Sequence, residues 1–375
     1  MRLLFAAKES YLPEVIGGGG LDMHHTTLAL QSQGHDVAVI VARTREHRNL
    51  TYRVAQKLAG KRILASHDTR NGYVTTRVFY WQISRLLDQY LDASRPDVVI
   101  VVGTEAQQLA QVAVDHSIPV IVRLVTAECA IRLSAAADAD EGVARLLANP
   151  LVKVVGNSHF VADEAAELLG VASEVDYPLI QLEDSISPSR TARFITFVNP
   201  RQIKGLDIAL EVARLLPERR FVFAESYVLS RAERKDLDLQ LRSLPNVTFR
   251  RPAENLGSLY GETALLMVPS RLQEAFGRVI IEACANGIPV VARQIGGIPE
   301  AMGTSGVLLA QSDSAERWAE AIEQIMSDPV RYSDLSDRAL ANAQRGEFQA
   351  SAIAAQFLEL ARKHADMKSM RVLPE

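Results

Sequence analysis

Residues 268–300 read VPSRLQEAFGRVIIEACANGIPVVARQIGGIPE. An apolar run ends at Val268, a polar loop carrying Glu274 follows, Phe276 to Asn286 repeats apolar residues at helical spacing, and Pro289 to Arg293 is again β-branched. Strand, loop, helix and strand in that order make a parallel βαβ unit. Loops that follow the strands of such units face ligand, and a helix opening near Phe276 and Gly277 offers backbone N–H groups and a positive dipole end to an anion. Gly277 lets the backbone approach closely because it has no side chain. A phosphate or diphosphate fits there. Glu282, one to two turns into the helix, can accept two hydrogen bonds from a vicinal diol such as a ribose presents. Spacing alone leaves a second reading open, in which Glu274 caps the helix and Glu282 is a solvated surface acid.

The same alternation runs outward from this stretch. Apolar runs at Arg2–Ala6, Val37–Ala42, Asp97–Val102, Pro119–Val125 and Val152–Gly156 are separated by segments of helical period. Several are apolar at nearly every position, the pattern of strands covered by helices on both faces. Leu182–Arg193, LEDSISPSRTAR, is polar, contains Pro188 and has neither period, so it reads as a connector. Runs resume at Phe194–Val198, Arg220–Ala224, Asn246–Phe249, Ala264–Val268 and Pro289–Arg293. From Asp313 the chain reads as helices only, with breaks at Asp328–Pro329 and Gly346 and a last helix over Phe348–Lys363. The expected class is α/β, with two Rossmann-like, doubly wound parallel-sheet domains facing across a cleft. They are expected over residues 1–182 and 191–347, with a C-terminal helix and tail at 348–375 packing back toward the N-terminal domain.

Composition bounds the function. The 375 residues are 48% apolar and 23% charged, a globular make-up with length for two domains. A formal charge of −4 lacks the basic excess of phosphate-backbone binders, so nucleic acid is not an expected partner. Cys129 and Cys284 stand alone, outside any CxxC pair, so neither a disulfide framework nor a cysteine zinc site is expected. The opening MRLLFAAKES reaches Lys8 too soon for a secretory segment, and no later apolar run approaches the roughly 20 residues of a membrane span. A cytoplasmic protein is expected.

Two more constellations carry chemistry. Phe197–Gly205, FVNPRQIKG, ends a strand and opens a helix. Lys204 and Arg201 are cations suited to hold a diphosphate and stabilise its charge without metal, although a solvated helix start is the plainer reading of Arg201. Gly17–Gly20 lies between the first strand and a helix that includes Thr26–Leu30, where Gly18 and Gly19 would let backbone pass close to a sugar or diphosphate; a flexible turn accounts for the run equally well. The run is no dinucleotide fingerprint, since Asp22 occupies the last glycine position. His24 and His25 diverge by about 100° on a helix and cannot share a metal ligand face. With no DxD motif in a suitable loop, neither a metal nor another cofactor is expected.

Glu274 and Glu282 with the surrounding PS, EAFG, EAxAxGxPVVA and GGIPE resemble the Glu-x7-Glu signature of retaining GT-B glycosyltransferases of the glycosyltransferase 4 family. That resemblance implies transfer of a sugar from a UDP- or GDP-sugar to a hydroxyl acceptor, in glycan, glycolipid or polysaccharide biosynthesis. Glu282 would hold the nucleotide ribose and Glu274 the donor sugar, and the amides of Phe276, Gly277 and Arg278 would touch sugar or phosphate. The acceptor would be a glycan, a lipid-linked saccharide or a small molecule. A binding protein that holds the nucleotide sugar without transfer, and a GT-B sugar-nucleotide epimerase, are the alternatives.

The chain departs from the family in places. Asn199 stands at the usual arginine position, and Ala224-Glu225-Ser226 replaces the usual GxG. Val125 stands where a histidine is usual, leaving Arg123, Thr126 or Glu128 to substitute. Between Arg43 and Arg85 ten Lys and Arg face only Glu46 and Asp68, with Tyr73, Phe79, Tyr80 and Trp81 nearby. This concentration implies peripheral contact with an anionic membrane, at its inner face, or a phosphorylated acceptor; solvated helix faces are the plainer alternative.

Overall fold

The computed structural model describes residues 1–15, 17–43, 62–226, 228–251 and 256–367. They form two α/β units, one of Met1–Leu179 joined by the helix Ala350–Asp366, the other of Ile180–Gln349.

In the first unit, strands β1 (Arg2–Ser10), β2 (Asp36–Ala42), β3 (Ser66–Asp68), β4 (Thr75–Val78), β5 (Val98–Val102), β6 (Val120–Leu124), β7 (Val152–Gly156) and β8 (Ser173–Val175) form a sheet ordered β3-β4-β2-β1-β5-β6-β7-β8. Only the β3–β4 pairing is antiparallel. Helix α1 (Gly18–Ser32) follows β1, and α2 (Ile83–Ser94), α3 (Ala106–Asp115), α4 (Ala127–Ala139), α5 (Glu141–Leu147) and α6 (His159–Leu169) complete the crossovers. The glycine run belongs to the helix rather than to a loop before it, since Gly17 is the N-cap and Gly18–Gly20 form the first turn.

The second unit has the same plan. Strands β9 (Phe194–Val198), β10 (Phe221–Ala224), β11 (Val247–Arg250), β12 (Thr263–Val268), β13 (Val290–Arg293) and β14 (Gly306–Leu309) are ordered β11-β10-β9-β12-β13-β14 and all parallel. Between them run α7 (Leu206–Leu215), α8 (Arg231–Leu241), α9 (Leu256–Glu262), α10 (Arg278–Cys284) and α11 (Ile298–Met302), followed by α12 (Ala315–Met326) and α13 (Pro329–Ala343). Its core packs Phe197, Phe221, Phe223, Leu265 and Val291 against α7 and the fully buried Trp318. The last helix, α14 (Ala350–Asp366), packs in the first unit, where Phe357 stacks on Phe5 at 5.9 Å and Gln356 donates to the Val175 carbonyl.

All ten expected strands form, shifted by a few residues at most. Four strands escaped the sequence pattern: β3 and β8 are three-residue edges, β4 (TTRV) carries an arginine, and β14 opens on glycine. None contains an apolar run long enough to register.

Candidate functional site

In a doubly wound sheet, ligands bind beyond the carboxyl ends of strands where the strand order reverses. In the second unit that point lies between β9 and β12, and the two singled-out motifs, 199–205 and 269–277, are the loops that leave those strands. Gly205 has φ +86°, and a Cβ there would stand 2.0 Å from the Pro269 carbonyl oxygen, so only glycine lets the lysine loop seat on the glutamate loop. The Arg271 and Leu272 amides donate to the Ile203 carbonyl at 3.0 and 3.1 Å. From β13 the GGIPE turn closes on the same loop: Gly297 N–H donates to the Glu274 carbonyl at 2.7 Å, and a Cβ on Gly296 would meet that carbonyl at 2.4 Å.

These seats bring the acidic and basic groups together. Lys204 Nζ lies 2.5 Å from Glu274 Oε1, which also accepts from Ser270 Oγ at 2.9 Å. The side chains are 23% and 17% exposed, so both are fixed yet reachable. Glu282 is 6% exposed, which overturns the solvated-acid reading. Tyr260 Oη donates to its Oε2 at 2.8 Å, and Arg278, one turn earlier, stands 3.6 Å from its Oε1. Burial, and after it the Glu282 carboxylate, pushes the Tyr260 phenol well above its ordinary range, so it stays a donor.

Other residues fall elsewhere. Arg201 turns toward α8, donating to the Val228 carbonyl at 3.1 Å with Nε 3.6 Å from Glu233. The Phe276 ring is buried edge-on against Phe348 at 5.3 Å, so the ring itself is closed to a ligand. The expected helix over 276–286 is shorter, seven residues from Arg278 to Cys284, because Gly277 takes φ +103° as its N-cap and Gly287 turns the chain at φ +62°. Asn199 also has a left-handed backbone, φ +62°, a conformation asparagine tolerates better than most residues.

In the first unit the reversal lies between β1 and β5. A Cβ on Gly19 would come within 3.2 Å of the Val125 side chain, so the glycine run packs against the residue standing in the usual histidine's place. Arg123 is no substitute for that histidine. It is fully buried, with Nη1 2.7 Å from Asp22 and Nε 2.6 Å from Asp176. Thr126 caps α4 by accepting from the Cys129 amide, and Glu128 pairs with Arg132. His24 bonds Tyr73 Oη at 2.8 Å, and His25 Nδ1 stands 3.3 Å from the Leu179 carbonyl.

The basic stretch lies partly outside the described residues, Arg45, Arg48, Arg53, Lys57 and Lys61 included. Of its described cations, Arg77 is buried and Arg70 half exposed, and both pair with Glu14 and Asp68. Tyr73 is a core residue bonded to Tyr11 at 2.5 Å. Among the described residues no helix is long and apolar enough to cross a membrane.

Sequence reasoning missed Tyr260, Ser270 as a partner of Glu274, and Asn286, whose amide ties the Glu282 carbonyl to that of Ser185 at 2.9 Å each. Ser270 sits in the quoted PS pair, while Tyr260 stands 22 residues before its partner and left no local signal.

Residues 191–328 match the family described as glycosyl transferases group 1. D-inositol 3-phosphate glycosyltransferase of Corynebacterium aurimucosum is 37% identical over 124 residues, 32% of this chain and 28% of that protein. The enzyme of the same name from Segniliparus rotundus is 32% identical over 202 residues, 49% of this chain and 43% of that one. The chain thus spans less than half the length of these curated relatives. Among solved structures, Anabaena HepE in complex with UDP and glucose superposes with a TM-score of 0.74 at 18% identity, covering 97% of this chain and all of that one. Sucrose-phosphate synthase from Thermosynechococcus elongatus gives 0.72 at 17%, covering 97% and 99%. Residues 191–328 thus match a group 1 glycosyltransferase domain, and the fold class of the chain is GT-B, built from two Rossmann-like parallel-sheet units.

Proposed function

We propose that this protein is a retaining glycosyltransferase that moves a sugar from a UDP- or GDP-sugar to a hydroxyl acceptor in glycan, glycolipid or polysaccharide biosynthesis. The observation that carries the reading is the meeting of Lys204 and Glu274 at the β9–β12 reversal, with the buried Glu282 on the helix that leaves the same loop. Glu282 accepts the ribose hydroxyls. Glu274 orients the donor sugar, with the backbone of Phe276, Gly277 and Arg278 beside it. Lys204 has three donors, so a diphosphate shares or takes over the ammonium that Glu274 holds, and the charge growing on the leaving oxygen is stabilised there. In a front-face reaction the bond from the anomeric carbon to the diphosphate oxygen breaks, that oxygen takes the acceptor proton, and the acceptor oxygen bonds on the same face. Arg201 has a secondary part, and Gly18 and Gly19 admit a sugar or diphosphate close to the start of α1.

No metal enters this reading, so activity should persist in EDTA. The relatives' name makes D-inositol 3-phosphate the first acceptor to try. Incubation with UDP-, GDP- and ADP-sugars should release nucleoside diphosphate only when acceptor is present. Tight binding with no release would overturn transfer in favour of a receptor. The basic stretch is read as peripheral contact with an anionic membrane surface, and complete lack of vesicle binding at low salt overturns that part.

A further inference from the structure

The chain holds Glu282 by a residue that no motif contains. Tyr260 lies on α9, the helix that leads into β12, is 1% exposed, and donates to Glu282 Oε2 at 2.8 Å, while Arg278 approaches Oε1 from the preceding turn. Asn286 pins the backbone of the same turn to Ser185. A glutamate side chain has three rotatable bonds, and a carboxylate that is to accept two hydroxyls of a ribose must present its remaining lone pairs in one orientation. One hydroxyl fixed on Oε2 and one guanidinium near Oε1 set that orientation from both oxygens.

Resting on the donor reading above, we propose that Tyr260 is a positioning residue for ribose recognition: its hydroxyl orients the Glu282 carboxylate, and through it the site prefers ribonucleoside over 2′-deoxyribonucleoside diphosphates. Tyr260 itself need not touch the nucleotide. Removing the hydroxyl frees the carboxylate to turn, so the loss falls on affinity for the ribose and not on the sugar-transfer step.

Equilibrium titration with UDP and 2′-deoxy-UDP, on wild type, Tyr260→Phe, Glu282→Gln and the double variant, tests this. Hydrogen bonds to charged groups are strong enough that Tyr260→Phe should weaken UDP roughly tenfold and 2′-deoxy-UDP far less, shrinking the preference between them. In the Glu282→Gln background the same change should cost little, because its effect runs through the carboxylate. An equal loss in both backgrounds, or for both nucleotides, would show a merely structural role and overturn the proposal. So would a Tyr260→Phe protein that matches wild type while Glu282→Gln does not. If Glu282→Gln also binds UDP as wild type does, or if wild type binds neither UDP nor GDP, the donor reading itself falls and takes this inference with it.

Discussion

Arg123 in the first unit and Lys204 in the second are both held by carboxylates, Arg123 at 2.7 and 2.6 Å by Asp22 and Asp176 and Lys204 at 2.5 Å by Glu274. Their surroundings differ. Arg123 and its acids are 1–2% exposed at the side chain, and the guanidinium also donates to the Tyr177 carbonyl at 3.2 Å and packs 5.7 Å from the Phe357 ring. Lys204 and Glu274 keep about a fifth of their surface. A fully buried cation cannot change partners without leaving a bare charge in a low-dielectric interior, whereas a partly exposed one exchanges a carboxylate for a phosphate at small cost. The first cluster ties α1, β6 and the segment after β8 into one core, and the second stays partly open to solvent.

The comparison breaks first at Arg123. Arg123→Met should leave two buried acids without their cation and destabilise the fold by about 3–5 kcal/mol, read as a fall in the urea midpoint. An unchanged midpoint would mean the triad holds nothing together. Next, Lys204→Ala should lower transfer by about 10²- to 10³-fold with the midpoint preserved, as removing a preorganised charge from a transition state does. Arg201→Ala, at a residue turned toward Glu233, should cost far less, and an equal loss at both positions would place Arg201 beside the diphosphate after all.

The smallest effect expected is in pH dependence. Burial raises the Asp176 carboxyl from 3.8 to about 6, against the opposing pull of Arg123. The folded protein therefore holds that proton more tightly than the unfolded chain does. This contribution to stability is complete below about pH 4 and is lost as pH rises through about 6. Unfolding midpoints across that window should fall for wild type relative to Asp176→Asn. Parallel curves would mean that Asp176 keeps its charge throughout.

Much of the fold was legible because strands covered on both faces need continuous apolar runs, and ten such runs were visible. The site was legible in part. Glu274, Glu282 and Lys204 stand in local motifs whose spacing sets their places in loop and helix. Arg123 looked like a stand-in for a missing histidine, yet it is closed in by Asp22 from α1 and Asp176 from beyond β8, and neither partner is near it in sequence. The basic stretch looked like open charge, yet Arg77 is a buried partner of Glu14 and Asp68.

By itself, then, the sequence determined which segments become strands and which loops carry acids, a lysine and glycines, because periodicity and backbone permissiveness are local properties. Only the tertiary structure decided which charges face one another and how deeply they lie. The lysine loop and the glutamate loop meet because β9 and β12 are neighbours in the sheet, with Gly205 seated on Pro269. Tyr260 reaches Glu282 because the helix before β12 packs beside the one after it. Pairing and burial depend on long-range register, which no local pattern in the chain specifies.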